Sequence, residues 1–262
     1  MKRVLLMATA GLVLVMLVSA NMVNLTMAQA TETPPPMTTG LGTPPPAKTV
    51  VITLSDGTEI KGNFYPSFFS GRQAPAALLL HQNGGRREEW VKFIPSLQAA
   101  GYAVLAVDQR GFGKTGGRTD YKKMPDDAVE MVNWLAQQPS IQKDEIALIG
   151  ASVGSNAAII ACGKIEACKV AVALSPSVNY FNLKPADAMK EMKGKALFLV
   201  AAQQDRESST SLHTLALAAS PENNVSMRLY ASSVAHGVVL FQYEDLAPAI
   251  IAWLNMYNHA VN

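Results

Sequence analysis

The stretch Ile146–Ala158, "IALIGASVGSNAA", begins as an apolar run and breaks at a serine held between two glycines. An uninterrupted apolar run of this length, bounded by Gly150, reads as a strand buried on both faces. The small residues after Gly154 read as a helix that packs closely against it. A strand that turns directly into a helix needs residues without side chains at the crossing, which Gly150 and Gly154 supply. Ser152, at the centre of the turn, is thereby lifted above the carboxyl end of the strand with its hydroxyl exposed. The free N–H groups and positive dipole end of the following helix lie beside it. The pattern Gly-x-Ser-x-Gly is weak on its own. Its place at a strand-to-helix junction is what marks Ser152 as a candidate nucleophile.

Working outward, the same alternation runs through most of the chain. "APAALLLHQ", "YAVLAVDQ", "EIALIG", "KVAVALS" and "KALFLVAA" are apolar runs separated by helical patterns. Such strands imply a doubly wound, mostly parallel sheet covered on both faces, an α/β fold. "TVVITLSDGTEIKGNFYP", with a turn at Asp56-Gly57, adds an antiparallel hairpin at the start. "EEWVKFIPSLQAAG" reads as one helix with Trp90, Phe93 and Leu97 on its apolar face, stopped at Gly101. A second helix opens at Pro125, a short one spans Pro185–Met192, another runs from about Ser208, and the last spans Tyr243–Tyr257. No internal repeat and no break in composition follows residue 48, so residues 49–262 form one domain.

Two segments precede that domain. Residues 1–30 carry Lys2 and Arg3, then the apolar run Val4–Val18, then Ala28-Gln29-Ala30, the pattern of a cleaved export signal. An uncleaved membrane anchor is the alternative, because no charge falls between Val4 and Ala30. Either reading places the domain outside the cytoplasm: secreted, periplasmic or at the cell surface. Residues 31–48, with two triple-proline blocks, form an extended spacer. Lys2 and Arg3 also account for the whole formal charge of +2, leaving 20 basic against 20 acidic residues elsewhere. A neutral domain without a basic tract excludes nucleic acid as a partner. Oligomeric state has no signature in the sequence. Cys162 and Cys168 are close enough to form a disulfide in an oxidising compartment, with two buried thiols as the alternative. No His/Cys cluster marks a metal site.

A serine hydroxyl becomes a nucleophile when a base takes its proton. Of four histidines, His259 is at the chain end, His213 is inside a helical pattern, and His81 ends a strand. His236, in the loop "SSVAHGVVLF" between the last strand and the last helix, is the candidate base. The base in turn needs a carboxylate to fix its tautomer. Asp205, just past the strand "KALFLVAA", is the candidate, with Glu207 as competitor. Stabilising the negative charge of a tetrahedral intermediate calls for two backbone N–H groups. Val153 supplies one, and Asn83 in "HQNGG" is the candidate for the other.

In order along the chain, "LLLHQNGG", "LAVDQRGFGKTGG", "GASVG", the "QQD" loop and "AHG" resemble the alpha/beta hydrolases. Within that superfamily the chain is similar to dienelactone-hydrolase-like and small serine esterase members, from Thr49 to the C-terminus. The resemblance implies an eight-stranded sheet with Ser152, Asp205 and His236 in that order at its carboxyl edge. It also implies that Asp108–Gly113 is a structural loop without a catalytic role. Two departures stand out. Dienelactone hydrolases use a cysteine nucleophile, and Gln82 occupies a position where many relatives carry glycine.

Only about twenty residues separate "VAVALS" from "KALFLVAA", too few for a multi-helix lid. An open site follows, with Tyr180, Phe181 and Met189 as candidates for a pocket wall or, equally, for packing of the short helix. Such a site suits small to medium carboxylic esters, cleaved through an acyl-enzyme without metal or organic cofactor. An exported peptidase or thioesterase shares the constellation. A non-catalytic surface binding module is the contrasting class, and it has no need of all three side chains.

Overall fold

The computed structural model describes residues 43–69 and 71–258. The export signal or anchor, most of the proline-rich spacer, and His259 lie outside the described residues.

Eight strands form one sheet in the order β1-β2-β4-β3-β5-β6-β7-β8. They are β1 (Lys48–Thr53), β2 (Glu59–Tyr65), β3 (Ala74–Leu80), β4 (Ala103–Asp108), β5 (Ile141–Ala151), β6 (Cys168–Leu174), β7 (Ala196–Ala202) and β8 (Asn224–Tyr230). β1 and β2 pair antiparallel, β2 runs antiparallel to β4, and the remaining strands are parallel. This is the alpha/beta hydrolase fold expected from the sequence, hairpin included.

Six helices cover the sheet: α1 (Ile94–Ala99), α2 (Met124–Ala136), α3 (Val153–Lys164), α4 (Pro185–Glu191), α5 (Arg206–Ala218) and α6 (Leu246–Tyr257). Alternate residues of each strand face opposite layers. Leu78 and Leu80 of β3 enter the layer under α2, α3, α4 and α5, while Ala77 and Leu79 enter the layer under α1 and α6. All residues of β3, β4 and β7 are buried, which is why these strands read as unbroken apolar runs.

Local differences from the sequence reading have local causes. The stretch expected as one helix from Glu88 is split into a 3₁₀ turn, Arg87–Trp90, and α1. Pro95 is near the start of α1, where its missing N–H costs nothing but where it prevents the helix continuing from upstream. The last helix starts at Leu246 rather than Tyr243, after a 3₁₀ turn at Gly237–Gln242. α5 begins at Arg206, two residues before the expected start, so Asp205 occupies its cap position. Cys162, late in α3, and Cys168, first in β6, are joined by a disulfide.

The tightest packing is at the junction of β5 and α3. A Cβ on Gly150 would collide with the backbone of Gly154, and one on Gly154 would collide with the carbonyls of Leu80 and His81. β3, β5 and α3 are thus in backbone contact, and the turn between β5 and α3 has no slack. Ser152 carries the consequence: its φ is 51° and its ψ −122°, a conformation that L-residues rarely adopt.

His81 and Asp108 fix the neighbouring strand ends. His81 is fully buried. Its Nε2 accepts from the Gln109 N–H at 3.0 Å, so the proton is on Nδ1, which donates to the Gln82 carbonyl at 2.7 Å. The Asp108 carboxylate accepts from the Arg87 and Lys114 N–H groups and from the Arg87 guanidinium. Arg110 binds Asp127 through two parallel hydrogen bonds of 2.8 and 2.6 Å. These bonds give "DQRGFG" a structural part to play.

Two outcomes are expected. Gly154→Ala should lower stability by about 1–3 kcal/mol or more, as overpacking against backbone cannot relax through side-chain rotation. Chemical denaturation measures it, and an unchanged midpoint would contradict the close approach. Burial pushes the His81 pKa down from its ordinary value. The unfolded chain therefore takes up a proton below about pH 6.5 that the folded chain refuses, and stability falls as pH drops through that region. In His81→Gln this part of the slope should vanish. An identical slope in both proteins would remove His81 as its source.

Candidate active site

The carboxyl ends of β3, β5, β7 and β8 carry the four loops in which the sequence places chemistry. β5 delivers Ser152. The Ser152 N–H donates to the Leu174 carbonyl of β6 at 2.8 Å, which ties the strained turn to the next strand. Ser152 is 7% exposed, so the site is less open than the absence of a large lid suggests. A two-residue turn at Tyr180–Leu183, closed by backbone bonds of 3.2 and 2.7 Å, lies after β6.

Asp205 follows β7 and His236 follows β8, the neighbouring edge strand. Their side chains meet: His236 Nδ1 is 2.7 Å from Asp205 Oδ2. A carboxylate accepts only, so Nδ1 carries the proton and Nε2 is the nitrogen left to take one. Glu207, the competing acid, is engaged elsewhere, where its Oε1 accepts from Ser177 Oγ at 2.8 Å. Asp205 does not cap α5 with its side chain, although it occupies the cap position. Its carboxylate serves the imidazole instead.

No hydrogen bond joins Ser152 to His236 in this structure. Beside them, the Tyr180 ring meets the His236 imidazole edge-on at 6.4 Å between centroids, and its hydroxyl is 3.3 Å from Ser208 Oγ.

The imidazole loop is pinned from two sides. The Gly237 N–H donates to Ser175 Oγ at 3.0 Å, and the Val238 N–H donates to Gln82 Oε1 at 3.2 Å. Gln82 thus has a task that glycine could not perform. Gly237 has a φ of 57°, and a Cβ there would overlap the Gln82 amide, so the glycine after His236 is required by both conformation and space.

Val153 occupies the first position of α3, where the helix leaves its N–H without an internal acceptor. Asn83 and Gly84 are the central residues of a turn closed by the Gly85 N–H to the Gln82 carbonyl at 3.0 Å, with Gly84 at φ 72°. In such a turn the N–H of the first central residue takes no part in the closing bond. Asn83 is also held through its side chain, whose Oδ1 accepts from the Tyr121 hydroxyl at 2.8 Å. Tyr121 stacks on Phe181 at 3.9 Å, nearly coplanar. Both rings line a cleft of about 670 Å³, together with Arg118 and Lys122.

The candidate wall residues therefore separate. Phe181 lines this cleft, and Tyr180 packs against the His236 imidazole. Met189 does neither: it is fully buried in the core, as part of the packing of α4 against its neighbours, and is not a pocket wall. His213 is exposed on α5.

Sequence reasoning missed the residues that hold the site together. Asn156, buried in α3 one turn past Ser152, donates to the Ser177 and Leu183 carbonyls at 2.8 and 2.9 Å and accepts from the Ser177 N–H. Ser175 and Ser208 belong with it. Their signal, a small polar residue inside an apolar pattern, is indistinguishable from a turn residue until the distant partner is known. Among the described residues, no group of three or more His, Cys, Asp or Glu side chains could hold a metal ion.

The alpha/beta hydrolase fold, as a sequence family, matches residues 75–257. The chain is similar to an uncharacterized protein of Mycobacterium tuberculosis, at 31% identity over 43% of this chain and 40% of that one. It spans about half the length, or less, of the curated relatives it matches. Among solved structures, the Pyrococcus furiosus esterase Pf2001 superposes with a TM-score of 0.69 at 22% identity, over 81% of this chain and 93% of that one. The dienelactone hydrolase of Anabaena variabilis superposes with a TM-score of 0.67 at 19% identity, over 82% and 99%. Eight strands in hydrolase order, with a Gly-x-Ser-x-Gly turn on the central one, agree with the family match: the chain belongs to the alpha/beta hydrolase fold family.

Proposed function

We propose that this protein is a serine hydrolase that cleaves small to medium carboxylic esters through an acyl-enzyme. The observation that carries the reading is the 2.7 Å bond between His236 Nδ1 and Asp205, made across two loops at the sheet edge where Ser152 stands in its strained turn. Strain at a buried serine and a carboxylate spent on orienting an imidazole have no evident structural purpose.

In the proposed reaction His236 Nε2 takes the proton of Ser152 as Oγ attacks the ester carbon. Asp205 holds the imidazole in the required tautomer and stabilises its protonated form. The carbonyl oxygen, now negative, faces the N–H groups of Val153 and Asn83. His236 returns the proton to the departing alcohol. Water then enters, loses a proton to the same nitrogen, and releases the acid from Ser152. The cleft beside Tyr121 and Phe181 is of the size that holds a small organic ligand, although Ser152, Asp205 and His236 are not among the residues that line it.

A fluorophosphonate probe tests the reading. Wild-type protein should be labelled covalently at Ser152, and Ser152→Ala should not be labelled. Hydrolysis of short-chain p-nitrophenyl esters should fall by at least about 10³-fold in Ser152→Ala and in His236→Ala. A folded wild-type protein that neither labels nor hydrolyses would favour a binding module. Activity confined to thioesters or peptides would move the substrate class while keeping the nucleophile.

A further inference from the structure

The segment between β6 and α4 has a firmly held base and an exposed tip. Ser177 Oγ donates to Glu207, the Val178 N–H donates to Ser211 Oγ at 3.1 Å, and the Tyr180 hydroxyl is 3.3 Å from Ser208 Oγ. Glu207, Ser208 and Ser211 fall on one side of α5, so a single helical face grips the base at three points. Asn156 holds it from α3 through the Ser177 and Leu183 carbonyls. The tip, Phe181-Asn182, has φ values of 50° and 68°, a turn that asparagine tolerates but phenylalanine does not favour. Phe181 is nevertheless 46% exposed, so burial in the core is not what it contributes. Glycine or asparagine would make the same turn without strain, and the turn alone does not call for an aromatic ring. The ring has a different partner: it stacks on Tyr121, 3.9 Å between centroids and 7° from parallel.

Topology says what this stack crosses. Tyr121 belongs to the connection from β4 to α2, and Phe181 to the connection from β6 to α4. In the sheet, β3 and β5 lie between β4 and β6. Asn83 follows β3, and Ser152 follows β5. Two loops that leave the sheet on either side of these strand ends therefore meet over them. Each end of the bridge is one link from the site. The Tyr121 hydroxyl donates to Asn83 Oδ1 at 2.8 Å, and Phe181 follows Tyr180, whose ring packs against His236. Tyr121 and Phe181 line the cleft of about 670 Å³, whereas Ser152, Asp205 and His236 do not. The stacked rings thus stand between the cleft and the nucleophile, which is 7% exposed.

We propose that Tyr121 and Phe181 are specificity-determining residues: their stack is an aromatic strap that admits compact acyl groups to Ser152 and must part for longer ones. The inference rests on Ser152 being the nucleophile. The construction suits a strap that opens at one point. The base of the β6–α4 segment is fixed by α3 and α5, so movement is confined to the two-residue tip. Leaving the stack lets Phe181 leave its unfavourable φ, which lowers the cost of opening. The stack itself sets that cost. An aromatic pair of this kind shifts an equilibrium by about two- to tenfold. A substrate that reacts only through the open form is slowed in proportion to the share of molecules that are open. A substrate small enough to pass the closed strap is not.

The test compares kcat/KM for p-nitrophenyl acetate and p-nitrophenyl octanoate, taking the ratio of the two in each protein so that intrinsic ester reactivity cancels. In Phe181→Ala the octanoate-to-acetate ratio should rise by about two- to tenfold, with acetate within about twofold of wild type. Phe181→Leu keeps an apolar side chain but no ring. It should shift the ratio in the same direction, and it carries the test if Phe181→Ala does not fold. Tyr121→Phe keeps the stack and removes the bond to Asn83, so both esters should change together and the ratio should stay at the wild-type value. A ratio unchanged in both Phe181 variants, or an equal change in both esters, would overturn the strap. A fall in the octanoate value would overturn it too, because Phe181 would then be a wall that binds the acyl chain. A shift of the ratio in Tyr121→Phe as large as in Phe181→Ala would remove the stack as its cause. A wild-type protein that cleaves neither ester, or a Ser152→Ala protein that still cleaves them, would overturn the nucleophile assignment and this inference with it.

Discussion

The rest of the site depends on backbone lying directly on backbone where β5 passes into α3. Gly154 rests on the carbonyls of Leu80 and His81, and Gly150 rests on Gly154 itself. With no side chains between them, two strands and a helix meet at a separation that nothing but glycine allows. The chain between them can turn in only one way, and Ser152 absorbs the turn in its own φ and ψ. A residue in an unfavourable conformation persists only where its surroundings over-determine it. Here those surroundings are the buried carboxyl ends of β3 and β6, on either side of the end of β5.

A second constraint converts one placed serine into a cluster. The N-terminal end of α5 supplies Asp205 to the imidazole and, one turn on, supplies Glu207, Ser208 and Ser211 to the segment that bears Tyr180. Ser175 and Gln82 fix the two N–H groups after His236. Each of these bonds satisfies a backbone or side-chain group that would otherwise be costly to bury. The same bonds therefore contribute to stability and set the geometry. For that reason the loops at this edge need no large lid to hold them in place.

Much of this was legible in the sequence, and the limits are physical. The buried strands announced themselves because both faces of each are covered, which removes any polar alternation. The strand-to-helix turn that carries Ser152 and the loop after β8 that carries His236 were legible from their place in the order of elements. Asp205 and Glu207 could not be separated in that way, since two residues along a helix start change the direction of a carboxylate completely. The start of α5 at Arg206 separates them. Asn156, Ser175 and Ser208 were silent because their partners lie 21 or more residues away in the chain. Met189 could be a pocket wall or packing for the short helix as far as the sequence goes, because an apolar residue beside a site looks the same whether it faces the cleft or the core; its burial decides for packing. The broken helix around Pro95 follows a known rule that periodicity alone overrode.

The most direct measurement is a crystal structure of the protein after reaction with an alkylphosphonate that mimics the tetrahedral intermediate. The account requires phosphorus bonded to Ser152 Oγ, the phosphonyl oxygen within hydrogen-bond distance of the Val153 and Asn83 N–H groups, and His236 Nε2 close to Oγ or to the leaving-group oxygen. Phosphorus on any other residue, or a phosphonyl oxygen turned away from both amides, would contradict it.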